Sequence, residues 1–492
     1  MQRTSADGVT VLWTPAPTPG PLTAQLTFGT GIRDETAPTL GVTHVIESLV
    51  MSEVGSRPHA YSSSVREDLT EFTAKGTPED VTGFLLAICR ALFDLPLHRT
   101  SQATGLLSGH AARTPVHHVA EPLGALYGPH ASGLITHAHP GMYAALTPET
   151  VRAHATARFT CGNAVLALDG PPPPGLALPL PEGPPPHRAT PRTRPHVPGS
   201  WQHRPVDTVS LLLACHPSDA AATMAQLVLR HRVERAACTV HDISADIGAH
   251  WFLRGHDTLD RALVIHPRPG RTREAAVTLW QETLRLTRKG PTPAELDTLV
   301  HDIRSETGSV WGSRRPLERA VVAEHFAIPY IDDDTLFESY ADVTPQAVRT
   351  YLERALDDAV LVVPHKTRQL HLRTPQGAAL PNSDCWHPHG RRPPTPGTRY
   401  RMNPLRRAVT RRRHHGEYVL TPWGIVVRDA HRDEHDIRFD EIALMRHEGP
   451  GRIVLTGCGC EMHLHPHQVA HGEHLIAALD AAVPAHLVHT TP

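Results

Sequence analysis

The sequence predicts an α+β protein built from a duplicated unit, two lobes of helices packed on antiparallel or mixed sheets, followed by a small β-rich domain closed by one helix. Three observations predict it. Residues 147–170, TPETVRAHATARFTCGNAVLALDG, and 344–364, TPQAVRTYLERALDDAVLVVP, both open on Thr-Pro-x-x-Val-Arg and run through a helix into an AVL strand. Twelve prolines between Pro171 and Pro198 separate the two pieces. After about residue 416 the pattern changes to short alternating strands.

The first unit is placed at 1–170 and the second at 200–365. Thr147, Pro148, Val151 and Arg152 precede Thr344, Pro345, Val348 and Arg349 by a constant offset. In both phrases Thr serves as N-cap and Pro as first helical residue, a strong local start signal. PEDVTGFLLAICRALFD (78–94) and REAAVTLWQETLRLTRKG (273–290) carry helical periodicity inside their units. The proline tract (171–199) cannot join a helix or a central strand and reads as an extended linker. A second linker, 366–415, mixes prolines with arginines. It lacks interleaved aromatics, so it reads as a solvated connector and gives no nucleic-acid signal.

The block 416–492 is of another kind. EYVLTPWGIVVRD (417–429), HDIRFDEIALMRHEG (435–449) and GRIVLTGCGCEMHLHP (451–466) alternate apolar and polar residues, and 466–488 reads as an amphipathic helix. Strands closed by one C-terminal helix resemble the pleckstrin-homology-like barrel. His467, His471 and His474 would share one face of that helix, but 37 histidines produce such spacings by chance, so a solvated face is the reading.

Composition bounds the partners. With 48 basic against 50 acidic residues and a net charge of -2, no global field draws the chain to nucleic acid or anionic lipid. Only three lysines and three asparagines occur, so the arginine and histidine surplus reflects codon usage before chemistry. The seven cysteines are scattered without a CxxC pair, which points to a reducing compartment. No signal-like N-terminus and no long apolar run are present, and the expectation is a cytoplasmic protein without a transmembrane segment.

The chemistry lies in GTGIRDETAPTLGVTHVIESLVM (29–51), where Val42 to Val54 reads as a helix with His44 and Glu47 on one face. About two His-x-x-Glu pairs are expected by chance in this composition, so the pair needs its context. Gly31, Asp34, Glu35 and Gly41 precede His44, Ala60-Tyr61-Ser62-Ser63 follow it, and ALYGPHASGLIT (125–136) leads to TPETV (147–151). Together these phrases resemble the insulinase/pitrilysin family of inverted-motif zinc peptidases, over roughly residues 8–365. The branch resembled is that of the mitochondrial processing peptidases and their smaller bacterial relatives.

That resemblance implies a two-lobed clamshell. It also implies an H-x-x-E-H motif in which two histidines hold zinc and the Glu is the general base. The sequence departs from it in four places. Ser48 replaces the second histidine, and a hydroxyl is a poor zinc ligand beside imidazole. His59 replaces the Asn of the family's Asn-Ala-Tyr phrase. The third ligand, a Glu in the family, falls near GLLSGHA (105–111), where His110 is the only donor. The family's Arg and Tyr, seven apart in the second lobe, map onto Glu234 and His241; Arg232 or Arg235 takes the arginine's place after a small shift.

The expected function is that of a catalytically silent homologue, a peptide-binding or structural partner of an intact zinc peptidase subunit in a heterodimer, or self-associated. Zinc is then absent or weakly held. One alternative is an active zinc metallopeptidase with His44 and His110 as ligands and Glu47 as base. Another is a non-enzymatic adaptor that recognises its partner through the C-terminal domain.

Overall fold

The computed structural model describes residues 1–15, 20–55, 60–111, 120–186, 199–307, 315–368, 370–383, 396–401, 417–428, 434–457 and 459–490. His59, Cys385, Cys458 and parts of both proline-rich stretches lie outside them.

The first lobe is a six-stranded mixed sheet in the order β1 (Gln2–Ala6), β2 (Val9–Trp13), β6 (Ala164–Leu168), β3 (Leu22–Phe28), β5 (Thr70–Gly76), β4 (Ala60–Val65). The second is a five-stranded sheet in the order β7 (Ser200–Arg204), β11 (Val360–Pro364), β8 (Val209–Cys215), β10 (Leu259–Pro267), β9 (Ser244–Leu253). Leaving out β1, the two orders are the same. In each, the first and last strands of the unit pair in parallel and the other neighbours are antiparallel. The duplication read from one repeated phrase therefore extends to the strand topology of both lobes.

Helices repeat as well. α1 (Val42–Val54), α2 (Pro78–Phe93), α3 (Thr100–Ala111), α4 (Ala120–Tyr127) and α5 (Pro148–Arg158) belong to the first unit. α6 (Ala220–Glu234), α7 (Thr272–Lys289), α8 (Pro293–Thr307), α9 (Arg315–Phe326), α10 (Asp333–Ala341) and α11 (Pro345–Ala355) belong to the second. The repeated phrase caps its helix as its composition demands: Oγ1 of Thr147 accepts from the Thr150 N–H at 3.3 Å, and Oγ1 of Thr344 from the Ala347 N–H at 3.1 Å. Each sheet buries its helix side in a separate core, with Phe28, Phe72 and Phe84 filling the first and Trp280 the second.

The lobes exchange helices across their other faces. Ala125 of α4 packs on Leu212, Val264 and Val362 of the second sheet. Ala320 and Val321 of α9 pack on Leu12, Val165 and Ala167 of the first. Polar bonds lock the exchange. Tyr127 donates to Asp260, Arg254 pairs with Asp260 at 2.5 Å, and Arg33 donates to the carbonyls of Leu253 and Arg254 at 2.5 and 2.8 Å. The first part of the proline tract is strapped to the first lobe, with Leu178 and Leu180 buried in its core.

The C-terminal block has two four-stranded sheets. They are β12 (Thr398–Arg401), β13 (Glu417–Thr421), β14 (Gly424–Arg428), β15 (Glu434–Arg438), and then β18 (Glu461–Leu464), β17 (Gly451–Thr456), β16 (Ile442–Glu448), β19 (Val488–Thr490). Their core closes on α12 (Gly472–Ala482). Among the described residues the two sheets are not hydrogen-bonded to each other, so the expected barrel is not closed. The helix is shorter than 466–488: His471 sits before it in the left-handed region at φ 57°, and Pro484 follows its end. His467 lies in a separate 3₁₀ turn (Pro466–Gln468), so His467, His471 and His474 do not share a helical face.

This block is not a free appendage. Leu444 and Leu455 enter the first-lobe core, and His489 of β19 reaches the Pro38 carbonyl and His139. Among the described residues no single helix is long and apolar enough to cross a membrane.

Candidate functional site

The site begins with how α1 starts. Gly41 precedes it at φ 91°, a conformation that favours glycine, and a Cβ there would lie 2.7 Å from Cε1 of Tyr143. The buried carboxylate of Glu35 supplies the cap, accepting from the N–H groups of Gly41 at 2.7 Å and Thr43 at 2.9 Å. Burial pushes the Glu35 carboxyl up to about 7, because these bonds and the helix end only partly replace its lost hydration. The acidic residue that resembled part of a motif is thus the pin that fixes the helix.

One turn on, the helix presents His44 and Glu47. Burial first, and then the nearby His110 imidazole, lower the His44 imidazole to about 4. Nδ1 of His44 is buried without a hydrogen-bond partner. Burial raises Glu47, while a hydrogen bond from Oγ of Ser63 works in the opposite direction. Burial also raises Tyr143, with the Glu35 and Glu47 carboxylates adding to it. His110 is the penultimate residue of α3, which packs along the 3₁₀ turn Pro140–Ala145 that carries Tyr143.

His44 and Glu47 lie one turn apart on α1 with Ser48 half-buried on the same helix, and His110 is near enough to His44 to act on its imidazole. Sequence reasoning missed Ser63 and Tyr143. The signal for Ser63 was available: period-two alternation through Ala60–Val65 puts Tyr61, Ser63 and Val65 on the half-buried face of β4. Tyr143 had no comparable signal, since it reaches α1 from a turn far along the chain.

The second-lobe candidates stand apart. Arg232 forks onto Glu295 through Nε and Nη2, both at 2.8 Å, and donates to the Gly290 carbonyl at 3.2 Å. Glu295 is lowered to about 2, first by that arginine, and also holds the Thr292 N–H at the start of α8. Arg232 thus ties α6 to α8. Arg235 opens a π turn (Arg235–Val240) and His241 follows it, both exposed; the His241 carbonyl accepts from Arg271 at 2.9 Å.

A zinc hydrolase site needs three protein ligands and an open position. Among the described residues no group of three or more His, Cys, Asp or Glu side chains is placed to hold a metal ion. His44 and His110 are one donor short where Ser48 stands, and Glu47 is engaged by Ser63. The residues present do not fit the metal that the resemblance implied.

No protein-family model matches this chain, and no curated protein matches it. Solved structures do match in fold. The M16 peptidase inactive domain from Pseudomonas fluorescens is 15% identical at TM-score 0.60, over 75% of this chain and 99% of that one. A protease from Helicobacter pylori is 13% identical at TM-score 0.60, over 74% and 99%. Pitrilysin is 13% identical at TM-score 0.53, over 74% of this chain and 44% of pitrilysin. The chain has the α+β fold of M16 peptidases.

Proposed function

We propose that this protein is an insulinase/pitrilysin-like peptidase homologue that binds an extended peptide without hydrolysing it, as the partner of an intact zinc-bearing chain. The observation that carries this reading is the incomplete donor set on α1, where Ser48 follows Glu47 and His110 replaces the third, carboxylate ligand. The fold shared with M16 peptidases, one of them an inactive domain, supports it. The peptide is assigned to β4, the last strand in the order of the first sheet, whose Ser63 touches Glu47. Strand addition there supplies main-chain bonds, with side-chain pockets every second residue.

The interface with the C-terminal block favours this over the adaptor reading: Leu444 and Leu455 are spent inside the first-lobe core rather than offered to a partner. The scattered cysteines fit a reducing, cytoplasmic compartment. Zinc loading followed by desalting and metal analysis tests the proposal together with a peptide-cleavage assay. The expected result is less than roughly a tenth of an equivalent of zinc and no cleavage that Glu47→Gln abolishes, since an open site needs three ligands. One tightly held zinc per chain with Glu47-dependent cleavage overturns it and installs the active-enzyme reading.

A further inference from the structure

Between the lobes, away from α1, lies a cavity of about 510 Å³. Its walls come from three parts of the chain: Asn163 and Val165 at the start of β6, Pro185 and Pro186 of the proline tract, and Arg254, His256 and Phe326 of the second lobe. Arg33 of the first lobe also lines it. The volume falls within the roughly 300–1,000 Å³ of small-molecule sites.

The charges around it do not balance. Arg254 is matched by Asp260 at 2.5 Å, and Glu324 on the cavity wall by Arg3 at 2.7 Å. Arg33 has only 9% of its surface exposed, and among the described residues no carboxylate pairs with it. The carboxylates next to it in sequence are committed elsewhere: Asp34 pairs with Arg158 at 3.2 Å and Glu35 caps α1. Its guanidinium meets the Leu253 and Arg254 carbonyls and lies 5.7 Å from the Phe326 ring centroid. Two of its five N–H groups are thereby used, and a full positive charge remains in a desolvated wall, a costly state unless an anion completes it.

We propose that this cavity binds a small organic anion, its carboxylate or phosphate group on Arg33 and its compact apolar body against Phe326 and the paired prolines. His256, exposed at the mouth, adds a second donor. Because the walls come from both lobes, an occupant ties Arg33 to the β9–β10 turn and stiffens the junction.

Calorimetric titration at fixed ionic strength with benzoate and with phenyl phosphate tests this on the full chain. Saturable binding of either probe is expected, and the tighter one identifies the head group. Arg33→Met should weaken it about tenfold or more, the value of one charge-assisted bond. Arg33 also clamps the lobes, so two further variants keep the test open if that one does not fold. His256→Gln should weaken binding, and Glu324→Gln should tighten it by removing a wall carboxylate. Absence of saturable binding to about 10 mM of both probes, a free energy too small for a built site, overturns the proposal. So does binding that neither His256→Gln nor Glu324→Gln changes.

Discussion

Ser63, on the last strand in the order of the first sheet, donates a hydrogen bond to Oε1 of Glu47 on α1. The bond joins the strand on which a peptide would add to the carboxylate that a hydrolase of this fold would use as its base. In this chain that carboxylate is half-buried, its pKa raised by burial. The hydroxyl stabilises the charged form and opposes the shift.

A Glu whose folded pKa is raised contributes stability that is present below its unfolded value and lost as pH rises through the folded value. Glu47→Gln should therefore stabilise the protein at neutral pH by about 1 kcal/mol, or roughly 2–4 °C in Tm. At pH 3 the difference should vanish, because Glu47 is then protonated in both states. Calorimetric melts of both forms at the two pH values check it; an equal shift at both points to packing rather than charge.

At the junction of the lobes, Asp260 accepts from Tyr127 and pairs with Arg254. Asp260→Ala leaves a largely buried guanidinium unpaired and should cost about 3–5 kcal/mol. Tyr127→Phe removes the bond to Asp260 and the weaker one accepted from Arg254 at 3.3 Å, and should cost about 1–2 kcal/mol. The double variant Asp260→Ala/Arg254→Met should recover part of the first loss, as urea unfolding of the three variants would show.

The C-terminal block is seated by neutral histidines. His489 donates from Nε2 to the Pro38 carbonyl at 3.2 Å, so its Nδ1 accepts from His139 Nε2 at 3.4 Å. Burial first, then Arg446, His489 and His137, lowers His139 to about 3. Burial lowers His489 and holds His137 near 4, with Glu461 opposing and Arg446, Arg204 and His130 reinforcing the shift on His137. Groups with depressed basicity bind fewer protons when docked. The seat should hold above about pH 6.5 and loosen progressively as pH falls from there toward 3–4. Limited proteolysis at pH 7.5 and 5 should show the block released first in acid, and His489→Gln should flatten that dependence.

Thr147→Ala and Thr344→Ala each remove one N-cap and should each cost about 1 kcal/mol. The two caps sit in separate cores, so the double variant should lose their sum. A clear departure from additivity in denaturant melts would mean that the units do not carry independent copies of this helix.

Much of the scaffold was legible because it is written locally. Gly41 and the apolar spacing mark α1 to the residue, and Thr-Pro marks both repeated helices. Local spacing and the family phrase were enough to single out His44, Glu47 and His110 as candidates. The unread parts depend on distant chain. Nothing near Arg232 announces Glu295, and nothing near Tyr143 announces Gly41. Alternation in the C-terminal block identified strands, yet it could not show that Leu444 and Leu455 turn toward another body's core.

The reciprocal seating of α4 and α9 has a consequence for how such a chain arose. Each unit lends a helix to the far face of the other's sheet, the arrangement of a two-fold pair of identical subunits that have swapped an element. A gene for one unit could have made that pair before the copies were joined. Joined in a single chain, the two copies are held at a one-to-one stoichiometry and are free to diverge. The second copy keeps a His-x-x-Glu of its own, His231 to Glu234 at the end of α6, but there both residues are exposed, whereas His44 and Glu47 are half-buried.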